Sequence, residues 1–381
     1  REHFAKGMGA RGKELRTRWM KLFDEYKGKH ADLAEHGMRM QRRELPAGWD
    51  KGLTLYPPDP KGAAGRDVSG KVLNTLAQNV PWLLSGSADL APSTKTRLTF
   101  EGAGDFTAEN YGGRNLHYGI REHAMGAIIN GMALSKIRNA GSGFMIFSDY
   151  MRTPMRLAAI MEIPSIFIFT HDSIGVGEDG PTHQPIEHLA SLRAIPGLNV
   201  VRPADANETA IAWREILKRY TKEFGVGAPH GLALTRQGVP TYERNEEAAK
   251  GGYVMFDAEG GTPEVVLIGT GSEVQLAVEA REQLQAAGIP TRVVSMPCVE
   301  WFEQQDQQYR DSVLPPAVKA RVAVEAGIGL TWHRFVGDAG RIVSLEHFGA
   351  SADGKVLFRE FGFTGDAVAA AARESLEAAA R

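Results

Sequence analysis

The 381-residue chain has a single cysteine, Cys298. That scarcity excludes an internal disulfide framework and a multi-cysteine metal site, and predicts a reducing, cytoplasmic setting. Long hydrophobic runs are missing too: none approaches the ~18 residues of a membrane span, and no charged-then-apolar leader opens the chain. No membrane partner is expected. Nor is charge of one sign in excess, since 44 Lys+Arg stand against 46 Asp+Glu for a net of −2. A nucleic-acid or polybasic membrane binder would be lopsidedly basic, so no nucleic-acid partner is expected either. Position 1 is Arg rather than Met. What the chain does have is glycine, 43 residues, in an ordinary globular mix of 43% hydrophobic and 24% charged residues. Its length predicts two domains, or one large and one small.

Residues 1–51 hold 13 Lys+Arg and 8 Asp+Glu, a net of +5, which leaves 31 − 38 = −7 for the rest. Leu15, Trp19, Leu22 and Phe23 recur at helical spacing, predicting one amphipathic helix over 13–26 whose buried face packs on something else. The Pro/Gly-rich stretch from Pro57 to Gly65 reads as an ordered linker. Beyond it, short apolar runs alternate with helical patterns. The expected fold class is α/β: two consecutive domains with mostly parallel sheets flanked by helices, preceded by a helical linker. Strands are predicted at 80–84, 164–170, 232–235, 265–268, 291–295, 322–324 and 342–345. Helices are predicted at 118–135, 189–193, 208–217, 273–286 and 365–380.

Two glycine motifs carry little. Gly65 to Lys71 fits seven positions of a P-loop, but Val72 stands where Ser or Thr would hold Mg²⁺, and no strand is predicted before Gly65. Gly269-Thr270-Gly271-Ser272-Glu273-Val274 follows a strand and opens a helix, yet lacks the third glycine of a dinucleotide fingerprint, so it reads as a Ser-capped turn. The run from Thr170 to Pro185 is richer. It leaves the end of a predicted buried strand, where open α/β sheets place ligands. His171, Asp172, Glu178, Asp179 and His183 suit proton transfer and anion binding near neutral pH; a metal site there matches no standard ligand spacing. Glu122, opening an apolar helix, is either a favourable charge at the helix N-terminus or a desolvated acid. Phe144, Phe147 and Tyr150, spaced by three, are either core or a wall for a flat ring.

Taken together, these residues resemble the transketolases, a thiamine-diphosphate enzyme family. The resemblance runs through Gly86-Ser87-Ala88-Asp89-Leu90-Ala91-Pro92-Ser93, His117 to Glu122, His171 to Pro185, Ala190 to Arg193 and Arg236-Gln237. It continues through Gly269 to Val274, Val293 to Pro297 and Val324 to Gly327, and spans essentially the whole chain. It implies a helical connector and linker (1–65), a pyrimidine-binding domain (66–245) and a C-terminal domain (246–381). The implied reaction is transfer of a two-carbon ketol unit between sugar phosphates. The implied catalytic residues are Glu122, bonded to the cofactor's pyrimidine nitrogen, with His183 and His171. Phe144, Phe147, Tyr150 and Asp89 are implied around the cofactor. Arg66, Ser93, His171, Asp179, His183 and Arg236 are implied around the substrate, with Arg66, Ser93, His171 and Arg236, on four separate loops, as its phosphate set. The family's diphosphate and Mg²⁺ are held by an N-terminal domain with a Gly-Asp-Gly motif, which these 381 residues lack. No metal ligand is therefore expected in this chain, residue 1 is expected to lie within a longer native chain, and a homodimer with shared active sites is implied. The alternatives are a 1-deoxyxylulose-5-phosphate synthase-like enzyme and a non-catalytic subunit of a split transketolase.

Overall fold

The computed structural model describes residues 1–221 and 227–381. Helices α1 (Ala10–Lys29) and α2 (Ala31–Arg42) open it. The helix predicted over 13–26 lies within α1, but its apolar face is not buried: Leu15, Trp19 and Leu22 are exposed, and Trp19 stacks on Phe23 at 5.1 Å. The spacing specified the face correctly, but none of the residues of α1 is buried.

The stretch read as a linker is in part strand β1 (Asp59–Ala64), antiparallel to residues 238–241. A strand therefore does precede Gly65, contrary to expectation. It formed unannounced because its pairing uses backbone groups, and Asp-Pro-Lys-Gly carries no strand-like side-chain pattern. Helix α3 (Gly65–Asn79) begins at the very next residue. Gly65 to Lys71 is thus helix throughout, with no loop left to cradle a phosphate.

The first large sheet follows: β2 (Leu83–Ser87), β3 (Asn115–His117), α4 (Glu122–Leu134), β4 (Arg138–Phe144), α5 (Ser148–Ile160), β5 (Ile166–Thr170), α6 (His188–Arg193), β6 (Asn199–Val201), α7 (Ala206–Lys218) and β7 (His230–Leu234). Gly238–Thr241 is β8, the partner of β1. The order β3-β2-β4-β5-β7-β6 is parallel throughout. Trp213, Leu73 and Leu76 belong to one buried cluster, and Met125, Ile129, Met151 and Met155 to another. Each such side chain contributes about 1.5–3 kcal/mol on burial. The strand predicted over 80–84 is displaced to 83–87. In this largely buried parallel strand Ser85-Gly86-Ser87 pair through the backbone, and a Cβ on Gly86 would come within 2.6 Å of the Leu116 carbonyl. The helix predicted from Tyr118 starts only at Glu122, because Gly119 turns left-handed (φ +69°).

The second sheet comprises β9 (Tyr253–Phe256), β10 (Val265–Gly269), α8 (Val274–Ala286), β11 (Thr291–Ser295), β12 (Ala320–Val324), β13 (Arg341–Val343) and α9 (Gly365–Ala379). Its order is β13-β12-β10-β11-β9, with β9 alone antiparallel. The strand predicted at 342–345 ends at Val343, short of Leu345. The Ser-capped turn after β10 is also corrected. Thr270 occupies the cap position without a side-chain capping bond, and Ser272 donates its hydroxyl to the Glu273 carboxylate at 2.5 Å. Glu208 of α7 joins the two sheets, accepting from Tyr253 (2.9 Å) and Ser295 (2.6 Å). The architecture is α/β, two mostly parallel sheets flanked by helices behind a helical opening.

Candidate functional site

Parallel strands end together at one edge of the first sheet, and there the segments after β2, β4 and β5 meet the start of α4 around a cavity of about 580 Å³. Ala88, Asp89 and Leu90 form one side, Phe144, Phe147 and Tyr150 a second, and Ile120, Glu122 and His183 complete it. Glu122, the first residue of α4, is 8% exposed. Phe144 and Phe147 lie nearly parallel (10°), with centroids 6.1 Å apart. His183 meets Phe147 edge-on at 5.7 Å. Tyr150 is 65% exposed, at the rim rather than in the core. The aromatic stripe is therefore a cavity wall. Asp89 holds φ +63°, an uncommon conformation for a residue with a Cβ. A larger cleft, about 790 Å³ and lined by Phe302, Arg310 and Arg321 among others, has no such pairing of buried carboxylate with flat aromatic wall.

A cationic cluster lies beside the cavity. Gly65 N–H donates to Thr235 Oγ1 (2.8 Å) and Arg66 N–H to the Thr235 carbonyl (3.2 Å). This stitches the start of α3 to the residue before Arg236. Arg66 donates to the Ser93 carbonyl at 3.0 Å, and Arg236 to the Val176 carbonyl at 3.2 Å. Burial lowers the pKa of the Arg66 guanidinium, Asp67 opposes that, and nearby Arg236 adds to it. His171 has φ +61° and its Nδ1 lies 2.8 Å from Thr170 Oγ1. Its ring centroid is 3.7 Å from that of Phe144. Burial first, then the charges of Arg66, Arg236 and His183, push its pKa down to about 3, so it is neutral at physiological pH. Cations crowded this way favour an anion between them.

The structure corrects one expectation. Arg66 and Ser93 are in the first turns of helices, α3 and the short helix Ala91–Thr94, rather than on loops. Asp179 is exposed on the Gly177–Gly180 turn, outside the cavity lining. Ile120 and Leu90, which no motif reasoning about chemistry had singled out, line the cavity; an isolated apolar residue in a loop gives no signal of that role. Three possible metal ligands do converge among the described residues, Asp149, Glu187 and His188, but outside this cavity. His188 Nε2 lies 3.2 Å from Asp149 Oδ2, an ion pair if the ring is protonated.

The depressed pKa of His171 has a consequence for stability. Between pH 6.5 and 3 the unfolded chain binds a proton there that the folded chain does not, so stability present above 6.5 is lost as pH falls. His171→Asn, which tolerates the left-handed backbone, removes that term. Between pH 7.5 and 5, wild type is expected to lose about 1–2 kcal/mol relative to the variant, measured by denaturant unfolding at both pH values. Parallel pH dependence of the two proteins would refute it.

A carboxylate-bearing aromatic cavity at the strand ends of an open parallel sheet, with a cationic cluster beside it, stands where α/β proteins place their ligand sites. Residues 61–240 match the transketolase pyrimidine-binding domain model, and residues 251–364 the transketolase-like C-terminal domain model. The chain belongs to the transketolase family. It is 54% identical to the transketolase of Mycobacterium tuberculosis over 389 residues, covering 98% of this chain and 55% of that protein. To the transketolase of Geobacillus stearothermophilus it is 49% identical over 372 residues, covering 96% and 54%. A Pichia stipitis transketolase in complex with sedoheptulose 7-phosphate superposes with a TM-score of 0.89 at 38% identity, over 97% of this chain and 54% of that one. A split-gene transketolase, an inactive beta4 tetramer, shares the fold at TM-score 0.65 and 24% identity, over 83% of this chain and 99% of that one. The chain spans about half the length of the curated relatives it matches.

Proposed function

We propose that this chain supplies the pyrimidine side of a thiamine-diphosphate site and the sugar-phosphate end of a transketolase reaction. A two-carbon ketol unit passes from a ketose phosphate, such as xylulose 5-phosphate, to an aldose phosphate, such as ribose 5-phosphate. The observation that carries this reading is buried Glu122 facing the same cavity as the parallel Phe144 and Phe147 rings, beside Arg66, His171 and Arg236. Transketolase structures from Pichia stipitis with xylulose 5-phosphate and sedoheptulose 7-phosphate support the substrate class.

The cavity fits a flat heteroaromatic ring with one basic nitrogen, as its apolar walls surround a buried carboxylate. Thiamine diphosphate, when bound, supplies the nucleophilic carbon that takes up the two-carbon unit. Glu122 holds a proton against the ring nitrogen, and Phe144, Phe147, Leu90 and Ile120 keep water from competing for that hydrogen bond. Tyr150 and Asp89 close the rim around the ring. His183 orients the donor's hydroxyl and carbonyl, and Asp179 reads the next hydroxyl from its exposed turn. Arg66, Ser93, His171 and Arg236 hold the phosphate. The residues do not fit Mg²⁺ and the diphosphate, for which the family uses a Gly-Asp-Gly domain. Such a domain, contributed across a homodimer, completes the site, and this chain alone does not turn over. The division of labour is the same for a covalently joined domain and for a separate chain. Residues 1–65 act as connector, 66–245 as the pyrimidine-binding domain and 246–381 as the C-terminal domain.

The test combines the chain with the diphosphate-binding domain of the Mycobacterium tuberculosis relative, thiamine diphosphate and Mg²⁺. Turnover is expected with xylulose 5-phosphate plus ribose 5-phosphate. Turnover of pyruvate plus glyceraldehyde 3-phosphate instead, or ketol transfer by the chain alone, would overturn the proposal.

A further inference from the structure

The glycine turn after β10 is unused by the proposed reaction, yet it sits where an α/β sheet ordinarily binds a ligand. From β10 the chain goes to β11 on one side, then crosses to β12 on the other. The strand ends of β10 and β12 therefore flank a topological switch point. A side chain from the other domain enters there. Arg202, just beyond β6, donates from Nη1 to the Thr270 carbonyl at 3.0 Å and to the Glu273 carboxylate. Glu325, just after β12, lies 3.9 Å from the same nitrogen. The Arg202 side chain is fully buried. Its backbone is held as well, by the Pro297 carbonyl (2.7 Å) and by Gly271 N–H (3.2 Å).

This accounts for the glycine that the dinucleotide reading left over. Gly271 has φ +56°, and a Cβ there would lie 2.6 Å from both Cζ and Nε of Arg202. Across the joint, Arg193 grips Glu325 with two bonds of 2.9 and 2.8 Å, and Trp332 donates to the same carboxylate at 2.9 Å. Three buried carboxylates, Asp172, Glu273 and Glu325, thus share two guanidinium groups. The third contact of Arg202 points back to the candidate site: Nε donates to Asp172 Oδ2 at 2.8 Å. Asp172 is the neighbour of His171, whose backbone is held left-handed.

We propose that the switch-point crevice of the second sheet is a guanidinium-binding site whose ligand is Arg202, and that this occupant, through Asp172, positions His171 for phosphate-ester recognition. Arg202 is a positioning residue, and its link to His171 rests on the function proposed above. A planar fork suits a site that offers a carbonyl and two carboxylates in different directions, where a single ammonium cannot reach all three.

Arg202→Ala vacates the crevice. The probes are ribose 5-phosphate, titrated calorimetrically into the full 381-residue chain, and ethylguanidinium, added at millimolar concentration during thermal unfolding. The variant is expected to bind ribose 5-phosphate at least ~10-fold more weakly and to melt earlier. Ethylguanidinium should restore part of both, whereas ethylammonium or sodium chloride at equal ionic strength should not. Wild type, its crevice filled, should not respond to ethylguanidinium. A folded variant with wild-type affinity, or equal rescue by ethylammonium, overturns the proposal. Where Arg202→Ala does not fold, Arg202→Lys decides: it keeps the charge and loses the fork, and wild-type melting and affinity in that variant would refute the assignment. Failure of wild type itself to bind ribose 5-phosphate would count against the proposed function and the link to His171. The guanidinium site would still stand or fall on the melting experiment.

Discussion

Glu122→Gln in the assembled enzyme is expected to lower kcat by ~10²–10⁴-fold, the range that a positioned acid or base contributes. The amide is nearly isosteric with the carboxyl group, and the rest of the cavity lining comes from other residues. Fold stability should therefore change by no more than ~1 kcal/mol, the favourable charge at the α4 N-terminus being the main loss. What the amide cannot do is hold a titratable proton against a ring nitrogen. The decisive measurement is hydrogen–deuterium exchange at the C2 position of bound thiamine diphosphate, followed alongside turnover. Slow exchange with retained cofactor affinity supports the assignment. Exchange at the wild-type rate in a variant that turns over slowly would remove Glu122 from this role.

Arg236→Leu is the second large effect. Hydrogen bonds to charged groups are worth about 1.5–3 kcal/mol, so KM for ribose 5-phosphate should rise roughly 10–100-fold. In the proposed binding mode the phosphate lies far from the reacting carbons, so kcat should change little, the pattern of lost uniform binding. An unphosphorylated acceptor should be used equally well by both proteins. Arg236 is exposed and its bond to the Val176 carbonyl is long, at 3.2 Å, so the substitution should leave the fold intact. An equal loss with phosphorylated and unphosphorylated acceptors would show that Arg236 acts through structure instead.

The strands that were easiest to read were those whose side chains and backbone give the same message. Thr291–Ser295 is predicted and observed with the same limits, and Val265–Ile268 falls one residue short of β10. Both are rich in β-branched residues, and every residue of both strands is buried in a doubly covered sheet. Ser85-Gly86-Ser87 in β2 and Asp59–Ala64 in β1 were illegible for the converse reason. Their pairing depends on backbone groups and on what lies opposite, and neither leaves a periodic apolar mark. The α1 face shows a third case, in which Leu15, Trp19 and Leu22 gave the right helix while their exposure depended on surroundings that spacing does not encode.

At the candidate site, the His171 to Pro185 segment was visible as chemistry because its residues are contiguous. The Arg202 contacts were invisible because their members come from four distant stretches, and nothing in Arg202's own neighbourhood marks it. Glycine followed the same division. Gly271 read as a failed nucleotide motif until the guanidinium beside its missing Cβ was seen.

The sequence by itself determined the family resemblance, the α/β class and the kinds of side chain available for chemistry, since these reside in contiguous residues and short periods. Tertiary structure alone decided which of them meet. The order β2-β4-β5-β7 lines up the segments after those strands along one sheet edge. Thr235 pins the start of α3 beside Arg236, and the β10–β12 crevice takes in an arginine from the other domain. Each meeting is set by strand order and loop closure across long sequence separations, and no local pattern carries that information.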